Sequence, residues 1–149
     1  MPKVKTHHWA GVTLSMKNMF GIVPGMKYGW PKSILHWHGI HESILDICAT
    51  APIHFVIADG IEAMEGNGPL QGELRRLSRL VLAHDPVAAE LTCARLMGLY
   101  PRAVKHLQEG RRFLGNAEAN RIVMIGEPIP KAIEPFKVLP EFHYLLSSG

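Results

Sequence analysis

Short apolar segments alternate with helical patterns along this chain, and that alternation limits the fold more than any other feature. Ile53–Ala58 predicts a buried strand closed by the turn Asp59-Gly60. Further strands are predicted near Leu77–Ala83 and at Arg121–Ile125. Because strands that alternate with helices are typical of α/β domains, we expect a small mixed or parallel sheet of roughly three to five strands flanked by helices. Either Lys3–Thr6 or another chain would supply a further strand.

Helix signals are clear in two places. Residues 33–50 are predicted to form one helix, because apolar residues recur on one face at a spacing of about 3.6: Trp37, Ile40, Ile44, Ile47 and Cys48. Asp85 followed by Pro86 predicts a helix start, since aspartate caps free amides and proline fits the first helical position. We expect a single domain over residues 1–128 and a proline-rich extended tail over residues 129–149 that wraps the surface.

Composition excludes several classes of protein. In 149 residues, 47% hydrophobic and 19% charged residues exclude a disordered chain. A net charge of +3 without a run of Lys or Arg gives no reason to expect nucleic acid, and no apolar run reaches the ~20 residues that span a bilayer. Two cysteines cannot ligate an iron–sulfur cluster by themselves, and they favour a cytoplasmic location.

The charges are distributed unevenly. Residues 1–41 contain no Asp or Glu, but they contain five lysines and five of the nine histidines. Such a segment favours an anionic ligand such as a carboxylate or phosphate. The alternative is that these lysines are solvated and take acidic partners from the other half of the chain. Sequence alone leaves both interpretations open.

Two groups of residues could form a metal site. On a helix, His38, His41 and Glu42 stand at positions i, i+3 and i+4, a spacing at which imidazoles and a carboxylate can hold a divalent metal. Asp59 follows the predicted strand, and Glu65 follows in a glycine-rich loop. We predict metal ligation by His38, His41, Glu42 and Glu65, with surface histidines and solvated turn acids as the alternative.

An active site follows if the early lysine and histidines face these acids across one cavity. The lysine would hold a small anion, a histidine would transfer protons, and the metal would bridge carboxylates and imidazoles. The residues predicted to be catalytic are His7, Lys17, His41 and Asp59. Those predicted to bind the substrate are Lys5, Asn18 and Asn67.

The string from Lys3 to Gly21, KVKTHHWAGVTLSMKNMFG, resembles the family called domain of unknown function 362. Later segments are also similar: His41–Asp46, Ile57–Gly60, Met64–Pro69, Asp85–Ala88 and Arg95–Gly98. The resemblance implies a cytoplasmic bacterial or archaeal protein with an α/β core, corresponding here to the C-terminal part of the family domain. It also implies an association with ferredoxin-like segments, whose cysteines this sequence lacks, and an aspartate where Glu90 stands.

A fainter similarity is to the nickel-pincer lactate racemases, in the order His7, Lys17, Pro24-Gly25 and then His36 or His38. In those enzymes a lysine holds the cofactor, and histidines ligate nickel or move protons. The first function expected is an enzyme domain that acts on a small anionic substrate. A non-catalytic accessory or assembly module linked to iron–sulfur redox proteins, and a small hydrolase that activates water, are the alternatives. A homo-oligomer is expected from the exposed sheet edge.

Overall fold

A mixed five-stranded sheet lies at the centre of the computed structural model, which describes residues 1–30 and 32–146. Its strands are β1 (Lys3–His7), β2 (Gly11–Thr13), β3 (Val56–Glu65), β4 (Glu73–Arg75) and β5 (Arg79–Ala83). β1 pairs with β2 antiparallel and with β3 parallel. β4 and β5 pair antiparallel with the two ends of β3. The predicted α/β fold is therefore confirmed, with β1 as the strand expected at Lys3–Thr6.

Helices cover one face of this sheet. They are α1 (Gly25–Tyr28), α2 (Ser33–Trp37), α3 (Ile40–Thr50), α4 (Pro86–Leu96) and α5 (Lys105–Gly110). Short 3-10 turns occur at Lys17–Ile22, Pro101–Ala103, Ala119–Arg121 and Pro140–Leu145. α4 packs on β3 and β5, and α5 contacts both α3 and α4. Within the described ranges, no helix has the length and apolar character needed to cross a bilayer.

The helix predicted over residues 33–50 is two helices, so that prediction is wrong. α2 ends at Trp37, and Gly39 takes a φ of 113°, outside the helical region, before α3 begins. Trp37 is 76% exposed, whereas Ile40 and Ile44 are buried as predicted. The prediction failed because the apolar periodicity continues in the sequence across Gly39, where the backbone leaves the helical conformation.

The strand predicted at Ile53–Ala58 starts later and runs further. β3 continues through Asp59 and Gly60, so these residues are not a turn at the strand end. Gly60 is required by packing, because a Cβ there would lie 2.9 Å from Leu77 Cδ2 and 3.2 Å from the Arg79 carbonyl oxygen. The strand predicted at Arg121–Ile125 does not form; beyond the 3-10 turn that ends at Arg121, the segment is irregular and largely exposed.

The predicted helix start at Asp85 is confirmed. Asp85 Oδ1 accepts the N–H groups of Val87 (2.8 Å) and Ala88 (3.0 Å). The C-terminal segment, predicted to be an extended surface tail, enters the core and includes the 3-10 turn Pro140–Leu145. Phe136 is buried and its N–H donates to the Met97 carbonyl (2.8 Å), while the Lys137 carbonyl accepts the Gly66 N–H (2.7 Å).

The other face of the sheet is apolar and open. Ile57 lies opposite Leu82 in the pairing of β3 with β5, and both side chains are exposed. Leu80 and Ile61 are exposed as well. Among the described elements, the helices that pack on β3 and β5 lie on the side of Val56 and Ala58, which are buried.

Candidate anion-binding site

A cavity of about 390 Å³ lies between the end of β1 and the 3-10 turn Lys17–Ile22. Its lining is basic and aromatic: His7, His8, Trp9, Lys17, Phe20, Gly21, Trp30, Lys32, His36, Pro69 and Leu70. No described residue of this lining is acidic. We call it the cationic cavity.

Lys17 is the most unusual side chain in the cationic cavity, because the residue is buried and lines the cavity without an acidic neighbour in the lining. The residue is only 8% exposed, and its Nζ lies 3.9 Å from the centre of the Phe20 ring. Among the described residues, no carboxylate contributes to the Lys17 pKa, and none lines the cavity beside it. Burial, and then the charges of Lys5 and Lys32, lower the Lys17 pKa to about 8. Because burial disfavours the charged form of Lys17, a bound anion would stabilise its ammonium group.

His7 is held in one tautomer by the backbone that follows it. Its Nδ1 accepts the N–H groups of Trp9 (3.0 Å) and Ala10 (3.2 Å), which leaves the ring proton on Nε2. Burial, followed by the charge of Lys17, lowers the His7 pKa to about 3. At neutral pH, His7 is therefore an uncharged hydrogen-bond donor at the wall of the cavity.

His8 and His36 have the opposite tautomer. Nδ1 of His36 lies 2.9 Å from the Lys32 carbonyl oxygen, and Nδ1 of His8 lies 2.9 Å from the Gly68 carbonyl oxygen. Because a carbonyl oxygen only accepts, each Nδ1 donates, and each neutral ring has its lone pair on Nε2. Burial lowers the pKa of His36, so this ring is neutral at physiological pH. The cavity thus combines hydrogen-bond donors with nitrogens that can accept a proton.

Aromatic rings form the rest of the wall. The Trp9 ring meets His36 edge to face at 5.1 Å between centroids, and Phe20 lies 5.1 Å from the same imidazole. The loop that contributes Pro69 packs tightly on β1, because a Cβ at Gly68 would collide with the Thr6 carbonyl. Such flat apolar walls beside positive charge suit an anion with a planar body.

The predicted acidic half of the site lies elsewhere. Asp59 accepts a hydrogen bond from Lys3 Nζ (2.6 Å), which lowers the Asp59 pKa. Glu65 is buried, accepts the Lys137 N–H (3.1 Å) and lies 3.6 Å from Arg75. Neither carboxylate lines the cationic cavity. The predicted shared cavity fails because β3 runs on past Asp59, so that this residue lies within the strand rather than at its end.

The four predicted metal ligands are not brought together either. Glu42 accepts a hydrogen bond from Lys105 Nζ (2.7 Å), which lowers the Glu42 pKa, and His38 is exposed after the end of α2. His41 instead contacts His106, with 3.1 Å between the two Nδ1 atoms. Among residues 1–30 and 32–146, no group of three or more His, Cys, Asp or Glu side chains could hold a metal ion. These residues therefore do not fit the expected divalent metal.

The predicted substrate-binding residues Lys5, Asn18 and Asn67 do not line the cavity. Lys5 Nζ donates to the Pro69 carbonyl (3.4 Å), and burial lowers the Lys5 pKa. Asn67 is exposed and its amide donates to Gln71 (3.1 Å). Asn18 is partly buried, one residue after Lys17. Of the residues predicted to be catalytic or to bind substrate, only His7 and Lys17 line the cationic cavity.

Residues 1–95 match the family model described as "Domain of unknown function (DUF362)". The chain belongs to the DUF362 family. The chain is also 27% identical, over 150 aligned positions, to the thylakoid-associated protein sll1697 of Synechocystis sp.. That alignment covers 95% of this chain and 44% of the relative, so the chain spans less than half the length of that protein. No solved structure matches the chain.

This DUF362 chain contains a second cluster, of buried polar residues, that was not predicted from the sequence. Glu90 and His106 are both fully buried, and Glu90 Oε1 lies 2.9 Å from His106 Nε2. Glu90 Oε2 accepts Ser15 Oγ–H (2.5 Å) and Met16 N–H (3.0 Å). We call Ser15, His41, Glu90 and His106 the Glu90 network. A glutamate within the apolar run of α4 was the available signal, because a buried carboxylate requires nearby donors.

Proposed function

We propose that this chain is an enzyme domain that binds a small anionic substrate in the cationic cavity. The observation that supports the proposal is Lys17, a buried lysine that lines the cavity and has no carboxylate among the described lining residues. A carboxylate or phosphate oxygen of the substrate would supply that acceptor. The His7 Nε2–H group would donate a second hydrogen bond to the same anion.

The histidines of the cavity suit acid–base chemistry on the bound molecule. His7 keeps its proton on Nε2, while neutral His36 has a free lone pair on Nε2. In the proposed reaction, Lys17 and His7 hold the negative charge, and His36 removes a proton from the substrate. His8 is an alternative base with the same tautomer. Trp9, Phe20 and Trp30 would contact the planar part of the substrate.

Titration with two probe anions tests the binding step. Inorganic phosphate and benzoate would each be added to ¹⁵N-labelled protein, and the Trp9 and Trp30 indole N–H signals would report occupancy. Lys17→Met is expected to weaken binding by about tenfold or more, since a charge-assisted hydrogen bond is lost. The two probes distinguish a phosphate site from one for planar carboxylates.

Lys27→Met is the matched control, because it removes the same charge from an exposed lysine outside the cavity. The proposal requires that this variant bind the probes as the wild-type protein does. Equal affinities in the Lys17 and Lys27 variants would refute the site.

Three earlier expectations remain proposals beside this one. The open apolar face of β3 and β5 supports a homo-oligomer in which a second copy covers Ile57 and Leu82. Two free, buried cysteines support a cytoplasmic location. A divalent metal would need ligands beyond His38, His41, Glu42 and Glu65, for example from its substrate.

A further inference from the structure

The Glu90 network holds the two residues that directly precede Lys17 in the chain. Ser15 and Met16, the two residues that precede Lys17, both donate hydrogen bonds to Glu90 Oε2. Ser15 Oγ also lies 2.7 Å from the Pro86 carbonyl oxygen, in the first turn of α4. The backbone that leads into Lys17 is therefore held from one side by α4.

The Glu90 carboxylate contacts one imidazole, His106, which in turn contacts His41. His106 Nε2 lies 2.9 Å from Oε1, and we assign its ring N–H as the donor, since a carboxylate oxygen accepts. The Nδ1 atom of His106 then meets the Nδ1 atom of His41 at 3.1 Å, and the two rings stack with 5.3 Å between centroids. One carboxylate oxygen thus contacts α5, and the other contacts the segment before Lys17.

We infer that Glu90 is a positioning residue for Lys17, and that His106, backed by His41, holds the carboxylate in the orientation this requires. The inference rests on the proposed function of the cationic cavity, since it assigns Glu90 to the support of that site. Two of the three donors to Glu90 come from the Ser15–Met16 segment. A leucine would fill the same space in the core without the cost of burying a charge, so packing alone does not account for this residue.

Glu90→Gln provides the first test, because it preserves shape while removing the charge and one acceptor. The amide oxygen can still accept from Met16, but the amide N–H₂ group faces His106 Nε2, which must then present a lone pair. Probe affinity, measured with benzoate or phosphate, is expected to fall by roughly tenfold, the lower end of what losing a supporting partner costs at metal sites. The ring ¹⁵N shifts of His106 are expected to report the reversed tautomer.

Val87→Ala is the matched control on α4, because it removes buried methyl groups and no hydrogen bond. It is expected to leave the affinity of the folded protein unchanged. His106→Gln, whose amide can still donate to Glu90, is expected to retain most of the affinity, whereas His106→Leu is expected to lose it. The two His106 variants test the inference even if the Glu90→Gln variant does not fold.

A titration of the Lys17 ¹³Cε signal gives a readout that needs no ligand. If Glu90 positions Lys17, the Glu90→Gln variant releases the ammonium toward solvent and raises the Lys17 pKa by about one unit or more, while Val87→Ala does not change it. An unchanged Lys17 titration in Glu90→Gln and His106→Leu would overturn the inference. If the wild-type protein binds neither probe but its Lys17 pKa still depends on Glu90, the proposed function fails and the positioning role stands.

Discussion

The cationic cavity and the Glu90 network are both built from histidines, but they differ in whether the chain supplies a carboxylate. In the cavity, His7, His36 and Lys17 face one another with no acid among the described lining residues. In the network, the buried carboxylate of Glu90 accepts three hydrogen bonds. The first arrangement leaves a positive charge for a ligand to neutralise. The second satisfies its own groups and fixes the backbone next to the first.

Nearness in sequence does not decide which cluster a histidine joins. His36 lines the cavity, His38 is exposed, and His41 stacks on His106, although all three lie within one short segment. The reason is the backbone at Gly39, whose φ of 113° ends the helical path after α2, so that residues before and after it do not share one helix face. A run of histidines in the sequence therefore indicates which chemistry is available, but it does not indicate which residues each histidine contacts.

Removing the carboxylate should have the largest effect on stability. Glu90→Ala leaves His106, Ser15 and Met16 without their buried acceptor, and is expected to cost about 3–5 kcal/mol of unfolding free energy. At this chain length the melting temperature should fall by about 10 °C or more, measured by circular dichroism. Glu109→Ala, which removes an exposed pair with Arg112, should cost under about 1 kcal/mol. Similar losses in both variants would contradict the contrast between the two clusters.

Removing the Lys17 ammonium should change the unfolding free energy less, and it should stabilise the protein. Because Lys17 titrates near 8 in the folded protein and near 10.5 in the unfolded chain, the unfolded state binds more protons between these values. The charged Lys17 therefore lowers the free energy of unfolding by its full amount below pH 8. This destabilisation disappears as the pH rises toward 10.5. Lys17→Met should add about 1–3 kcal/mol at pH 7 and progressively less above pH 8, as measured by urea unfolding.

The exposed Lys27→Met variant should show no such dependence on pH. If Lys17→Met instead lowers stability at pH 7, the ammonium has a partner that stabilises it, and the cavity would resemble the Glu90 network after all.

The smallest effect on stability is expected at Trp37, where α2 ends. Trp37 is exposed because α2 ends there, so Trp37→Ser should change the unfolding free energy by under about 0.5 kcal/mol. Ile44→Ala, on the buried face of α3, should cost about 2–5 kcal/mol by the same measurement. A large loss at Trp37 would favour the continuous helix over residues 33–50, with His38 and His41 on one flank.

The sequence was sufficient for those features of the fold that depend on local chemistry. The cap at Asp85, the apolar face of Ile40 and Ile44, and the α/β class all follow from short-range patterns. The extent of β3 did not follow, because Asp59-Gly60 has the composition of a turn and is kept extended by its neighbours in the sheet. The run Arg121–Ile125 failed for the converse reason, since apolar residues form a strand only where a neighbouring strand can pair with them.

For the site, the acid-free segment led to the prediction of His7 and Lys17, which both line the cationic cavity, because a missing counter-charge can be read from composition. The alternative was that the early lysines take acidic partners from the other half of the chain. It holds for Lys3, which pairs with Asp59. Which lysine keeps a carboxylate and which does not depends on the register of β1 against β3, where Lys3 lies opposite Asp59. Glu90 and His106 were missed because their meeting depends on the packing of α4 against α5.

The hydrogen bond between Gly66 and Lys137 links the end of the chain to the loop that walls the cavity through Pro69. Phe136, beside that bond, is anchored on the residue that follows α4. The C-terminal segment is thus a strap across the front of the molecule, and its loss would loosen both the loop and the helix behind it. We expect the loop that walls the cationic cavity, the segment Phe136–Lys137 and the end of α4 to open together as one cooperative unit.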